Sequence, residues 1–369
     1  MGTRATMPAA VVFTVVLLCG CGGAASVAGA PSTATQVPAP AITTAPALNG
    51  AVVISLSSTA SGATIYYTLD GSAPSTSSSQ YFAPFLLTSN LTVKAVATTS
   101  GGTASAVTSQ SFTPSISSGT LVWSDEFDYA SSVNGEPDPK VWIVDFGNTS
   151  SDHELETYCP WNSNTLPCNS ASRNAYIGTD GFLHIVARQP SPGVYTSGRL
   201  KSLGLFSFQY GRIEARMKLP ESQGMWPAFW LVGNSIVTIG WPACGELDVM
   251  EHIDGSNPSN EGFDWVQGSI HGSEVGAGTQ YHAAGFSAAD WHTYGMIWTK
   301  GQVQYYIDDP ANVYATYKAG SVGGAWPFDS GPEFLLLNMA VGGDWPGPPD
   351  SSTQFPAETQ VDYVRLYTN

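Results

Sequence analysis

Basic residues are scarce in this chain, with 13 Lys and Arg against 29 Asp and Glu in 369 residues, a formal charge of −16. Nucleic acid demands basic patches, so the balance argues against such a partner and disfavours sulfated or uronic polysaccharides. Charge of either sign is sparse, at 11% of residues. Sustained helical periodicity is missing throughout, which removes the helical fold classes. Cysteine numbers only 5, and no spacing among them makes a zinc site. The one continuous apolar run, Val11 to Leu18, is too short to cross a bilayer as a mature helix. What the chain has instead is 39 Gly, 25 Pro, 11 Trp and 16 Tyr, with many short β-branched runs. That composition reads as an all-β protein whose partner is neutral and met by aromatic faces. The length allows two domains with cores of their own.

The first 20 residues read as an export signal, with Arg4 ahead of the apolar run. Leu18-Cys19-Gly20-Cys21 resembles a bacterial lipobox, which implies cleavage before Cys21 and lipidation of its thiol. The expected location is the cell envelope, at the outer membrane or cell surface, or outside the cell. Membrane contact would come only through that anchor, and the mature protein is expected to be a monomer. Residues 21–44, rich in Ala, Ser, Thr and Pro, read as a disordered tether. Residues 45–113 read as a small β-sandwich, 114–120 as a Ser/Gly linker, and 121–369 as one large sandwich of short alternating strands. Cys159 and Cys168 share a loop and are placed to form a short disulfide in an exported protein. Cys244 is left over and reads as a small buried thiol.

Against this weakly charged background, Gly245-Glu246-Leu247-Asp248-Val249-Met250-Glu251-His252 places three carboxylates within six residues. Glu246 and Asp248 are two apart and share a face on a strand. Glu251 is five from Glu246, so a regular strand would turn it to the other face, and a helix would leave the two about 140° apart. One residue bulged out near Val249-Met250 returns Glu251 to the face of Glu246. The two Cα atoms would then lie about 13 Å apart. Side chains leaning inward would bring the carboxyls to ~5 Å, the separation of a retaining glycosidase pair. Leu247, Val249 and Met250 would fill the opposite face.

Two resemblances follow from longer strings. Ile65-Tyr66-Tyr67-Thr68-Leu69-Asp70-Gly71-Ser72-Ala73-Pro74, with Tyr81 and Val93-Lys94-Ala95, resembles the immunoglobulin-like module appended to chitobiases and bacterial carbohydrate enzymes. It implies a fold and no defined ligand, with a spacer role expected and weak glycan binding as the alternative. Trp123-Ser124-Asp125-Glu126-Phe127, Tyr210-Gly211-Arg212-Ile213-Glu214-Ala215-Arg216 and Trp226-Pro227-Ala228-Phe229-Trp230-Leu231 occur in that order. Trp241-Pro242-Ala243-Cys244-Gly245-Glu246 and Asn338-Met339-Ala340-Val341-Gly342-Gly343-Asp344-Trp345 follow. Together they resemble glycoside hydrolase family 16, the laminarinase-type β-glucanases with a concanavalin-like β-jelly-roll.

The resemblance implies an endo-acting hydrolase of internal β-1,3 bonds in β-glucans, retaining configuration and needing no cofactor for catalysis. It makes Glu246 the nucleophile, Glu251 the general acid/base, and Asp248 the residue that sets their protonation. It implies sugar contacts from Trp226, Trp230, Trp241, Arg199, His271, Asn174, Asn338 and Trp345. His153-Glu154-Leu155-Glu156 departs from the family's more usual Asn-Glu-Leu-Gln segment. A structural Ca²⁺ held by Glu126, the carbonyl of Gly181 and Asp362 is also implied. Mixed-linkage glucan hydrolysis, transglycosylation and non-catalytic glucan binding stand as the alternatives on the same fold.

Overall fold

The computed structural model describes residues 36–129, 135–148, 152–254, 262 and 264–369. The expected signal peptide, Cys21 and the tether up to residue 35 lie outside the described residues. Among the described residues no helix is long and apolar enough to cross a membrane.

The first domain pairs two small sheets. One joins β1 (Ala41–Pro46), β2 (Val52–Ser57) and β5 (Phe85–Leu87); the other orders β4 (Ser79–Gln80), β3 (Thr64–Thr68), β6 (Leu91–Thr98) and β7 (Thr108–Phe112) as β4-β3-β6-β7. Alternation places Ile54, Leu56, Ile65, Tyr67, Val93 and Ala95 between the sheets, where they form a closed core. This domain starts earlier than expected. Residues 41–44, read as disordered tether, pair with β2, and Val37 is buried in the core. Residues 41–44 read as tether because Ile42 is their single large apolar side chain; their backbone pairing with β2 decides the matter.

The second domain stacks two larger sheets. Seven strands run in the order β19 (Val275–His282), β18 (Trp265–Gly272), β17 (Glu246–Glu251), β16 (Met225–Gly233), β23 (Glu333–Val341), β14 (Arg199–Lys201) and β9 (Ile143–Val144). The ten-stranded sheet behind them contains β10 (Glu156–Tyr158), β13 (Val194–Ser197), β12 (Leu183–Ser191), β24 (Ala357–Tyr367) and β15 (Gly211–Lys218). It continues through β20 (His292–Thr299), β21 (Gln302–Ile307) and β22 (Val313–Lys318), with β11 (Ala175–Ile177) and β8 (Leu121–Asp125) paired at its side. The inner faces enclose a core that includes Phe229, Leu231, Leu247, Met250, Met296, Trp298, Leu335 and Leu337. Each such side chain contributes about 1.5–3 kcal/mol on burial. Cys159 and Cys168 form the expected disulfide, and Cys244 is free and buried.

The two domains are joined directly. Leu86 of β5 is 2% exposed and belongs to the core of the second domain, as does Ala51. Its N–H donates to the carbonyl of Ser207 at 2.8 Å, and Phe208 in turn bridges to Glu333 at the start of β23. The Ser207 hydroxyl donates to the Pro84 carbonyl at 3.1 Å, and Asn49 donates to the Leu121 carbonyl at 2.8 Å. The stretch 114–120 is held too: Gly119 N–H donates to Thr368, and the Thr368 hydroxyl donates to Ser117. A spacer on a free linker would show none of this.

Candidate active site

The three acids lie on β17, inside the seven-stranded sheet between β16 and β18. Gly245, at φ 85°, turns the chain into this strand with Phe328 packed where a Cβ would stand. Along β16 the partners run Val232↔Glu246, Leu231↔Leu247, Trp230↔Asp248, then Phe229↔Met250 and Ala228↔Glu251. Val249 has no partner there, and the register also shifts against β18 between Asp248 and Glu251. The extra residue is therefore a bulge at Val249, and it brings Glu251 back to the face of Glu246 and Asp248. Leu247, Val249 and Met250 enter the core on the other face, which holds the strand down.

The acids differ in environment. Glu246 is half-buried, while Asp248 is 3% and Glu251 9% exposed. Burial pushes all three carboxyls above their ordinary range, and mutual repulsion adds to it for Glu246 and Asp248. Glu246 is compensated by His271 and by a hydrogen bond from Trp241. The indole N–H of Trp226 donates to Glu251 Oε1 at 3.1 Å, and the Ser269 hydroxyl donates to Oε2 at 3.2 Å. His271 Nε2 lies 3.2 Å from Asp248 Oδ2. Proton-acceptor atoms of Glu246, Asp248 and His271 all fall within 4.8 Å of one another. Three buried acids on one face resist ionising together, so at least one holds its proton towards neutral pH.

Around the acids the expected aromatics gather. Trp345 meets Trp226 edge-on at 5.3 Å between ring centres, and Trp241 is 55% exposed. The Trp230 indole donates to Asn338 Oδ1 at 2.7 Å, and Asn338 donates to the Tyr158 hydroxyl at 3.3 Å. Arg199 pairs across from Asn338, stands 4.5 Å over the Tyr158 ring, and donates to Asp145 at 2.6 Å. A row thus runs from His271 and Ser269 through the acids and Trp230 to Asn338 and Arg199.

Asn174 does not join it. It is 2% exposed, and its amide donates to the Val186 carbonyl at 2.7 Å and to Thr196 Oγ1 at 3.1 Å. Those bonds tie β12 and β13 together and leave Asn174 a structural residue. Ser269, Tyr158 and Asp145 enter the site without a motif of their own. Ser269 was reachable by alternation, being two residues from His271 on one strand face; Asp145 comes from a distant segment and was not.

The calcium expectation fails on its donors. Arg365 grips both oxygens of Glu126 at 2.9 and 2.7 Å, and Arg216 donates to Asp362 at 2.6 Å. Gly181 sits in a turn closed by its own N–H to Gly178. With guanidinium already opposite each carboxylate, Glu126, Gly181 and Asp362 do not fit a Ca²⁺ ion.

Glu156, the residue that departs from the family's Gln, is fully buried and accepts the Val341 N–H at 2.8 Å. Burial, then the charge of Glu154, raise its carboxyl from the usual 4.5 to about 8. The folded protein keeps this proton where the unfolded chain has lost it. Stability therefore falls as pH rises from 4.5 towards 8, by up to about 1.4 kcal/mol per pH unit. Glu156→Gln is expected to remove that slope. Its melting temperature relative to wild type should be higher at pH 8 than at pH 5, and equal differences at both pH values would refute the assignment.

Comparison with known proteins agrees with this arrangement. The model of glycosyl hydrolases family 16 matches residues 156–365, and that of the chitobiase/beta-hexosaminidase C-terminal domain matches residues 44–109. A beta-glucanase of Rhodothermus marinus is 37% identical over 268 residues, covering 67% of this chain and 84% of that protein. A keratan-sulfate endo-1,4-beta-galactosidase of Sphingobacterium multivorum is 34% identical, and this chain spans only 54% of its length. The laminarinase catalytic domain of Thermotoga maritima superposes with a TM-score of 0.58 at 35% identity, covering 69% of this chain and 99% of that one. The chain belongs to glycosyl hydrolases family 16 and is a glycoside hydrolase of jelly-roll fold preceded by a chitobiase C-terminal-like domain.

Proposed function

We propose that this protein is an endo-acting β-glucanase that cleaves internal β-1,3 bonds with retention, using Glu246 as nucleophile and Glu251 as acid/base. The observation that carries the reading is the bulge at Val249, which places both glutamates on one face around Asp248. Glu246 is the most accessible of the three, with His271 and Trp241 favouring its charge, so it is the carboxylate open to the anomeric carbon. Asp248, enclosed beside Glu251, is pushed well above its ordinary range by burial and by that neighbour's charge, and so holds a proton.

In the first step a Glu246 oxygen bonds the anomeric carbon while the glycosidic C–O bond breaks. Glu251 gives its proton to the departing oxygen, and Trp226 and Ser269 steady the carboxylate that forms. In the second step Glu251 takes a proton from water, whose oxygen bonds the same carbon and releases Glu246. Two inversions leave the configuration as it was. Carboxyl groups supply all of this chemistry. Exposed Trp241 and the Trp226–Trp345 pair offer flat faces to the apolar side of glucose rings, and a net charge of −16 repels sulfated chains. Export with lipidation at Cys21 would set the enzyme on the envelope, facing polymer outside the cell.

Purified protein incubated with laminarin, lichenan, agarose and carrageenan tests the reading by product length. The expected result is short oligosaccharides from laminarin from the earliest times, with sulfated carrageenan untouched. Products longer than the added oligosaccharide would instead identify a transglycosylase, and binding without cleavage a receptor.

A further inference from the structure

Between the two domains lies a cavity of about 770 Å³, inside the range of built ligand pockets. Tyr66, Asp70 and Gln80 wall it from the first domain, and Gln209, Asn234 and Lys300 from the second. Two of its lining residues each carry a buried oxygen with no partner in the protein. Asn234 is 7% exposed; its amide nitrogen donates to Ser207, while its Oδ1 accepts nothing. Glu333, 1% exposed, likewise has an unpartnered Oε2. Both atoms are closed to solvent as the side chains stand, so the hydrogen-bonding lining that an occupant meets is that of Tyr66, Gln80, Gln209 and Lys300.

The charges limit what that occupant is. Asp70 faces Lys300 across the domains, and burial holds the Glu333 carboxyl far above the usual carboxylate range, hence neutral. Asp70 and Asp329 outnumber Lys300 on the lining, which disfavours an anionic ligand and suits an uncharged one that both donates and accepts. The cavity also adjoins the acids. The connection from β16 to β17 contributes Thr238 and Ile239 to the cavity wall, while its Trp241 hydrogen-bonds Glu246. Cys244, two residues before Glu246, lines the cavity as well.

We propose that the junction between the domains is a second glycan site, which takes a neutral segment of the β-glucan and is separated from the acids by the Asn234–Ala243 loop. This rests on the β-glucanase reading and gives the first domain a binding role that a spacer lacks.

The test uses the full-length protein with Glu246→Gln, so that a linear β-1,3-gluco-oligosaccharide of six units binds without cleavage. Calorimetric titration is expected to show two equivalents bound. Thr238→Trp, which adds bulk at an exposed wall position, should remove one of them. Lys300→Ala should weaken the same event about 10-fold. One equivalent that neither substitution alters would overturn the junction site and leave the glucanase reading intact. No binding of the hexasaccharide by any variant would overturn both.

Discussion

Glu246→Gln is expected to lower kcat on laminarin by about 10⁴-fold or more, because no other group in the row can form the covalent bond to the anomeric carbon. That loss corresponds to about 5.5 kcal/mol of transition-state stabilisation. Glu251→Gln should cost about 10²–10⁴-fold, the usual worth of a positioned proton donor. The two are told apart by a substrate whose leaving group needs no proton. With an activated aryl β-glucoside, Glu251→Gln should recover the first step, show a burst of aryl alcohol and accumulate a protein heavier by one glycosyl unit. Glu246→Gln should show neither. The surrounding donors make this separation physical. Trp226 and Ser269 both address Glu251, while Trp241 addresses Glu246. If the burst appeared with Glu246→Gln, the two roles would be exchanged. Activity retained by either variant would remove the chemistry from β17 altogether.

Leu86→Asp should destabilise the whole molecule, although the residue belongs to the small first domain. Its side chain lies in the core of the second domain, and its N–H is bonded to Ser207. An unpaired carboxylate placed there costs about 3–5 kcal/mol, or loses its charge at comparable expense. For a chain of this size that is a fall of about 4–7 °C in melting temperature. Leu86→Ala, which only opens a cavity, should fall less. Wild type should melt in one transition, read by calorimetry and by loss of activity on heating. Two transitions, with activity following one that Leu86→Asp leaves in place, would show the domains to be independent.

How far the site could be read from sequence varies with the range of the interaction. The bulge at Val249 follows from five positions of spacing, because the side-chain period of a strand is short and strict. The Trp-rich strings and Asn338 were legible through the family resemblance, because each lies in a short contiguous motif. Asn174 could not be read, since its partners Val186 and Thr196 lie 12 and 22 residues away and take the hydrogen bonds of its amide nitrogen. The calcium set failed similarly. Glu126 and Asp362 are suitable donors in isolation, but Arg365 and Arg216 reach them only after the first and last strands have paired.

Composition and local pattern therefore decided that this is an all-β, acidic, aromatic-rich protein with three carboxylates presented to one face. Those properties depend on neighbours a few residues apart, where covalent geometry does the ordering. Tertiary structure alone decided which groups hold the acids, which expected ligands are already paired, and that the first domain is fixed to the second through Leu86 and Ser207. These contacts join groups 18 residues apart for Ser269 and Glu251 and 239 apart for Arg365 and Glu126, where burial and pairing, rather than period, select the contact.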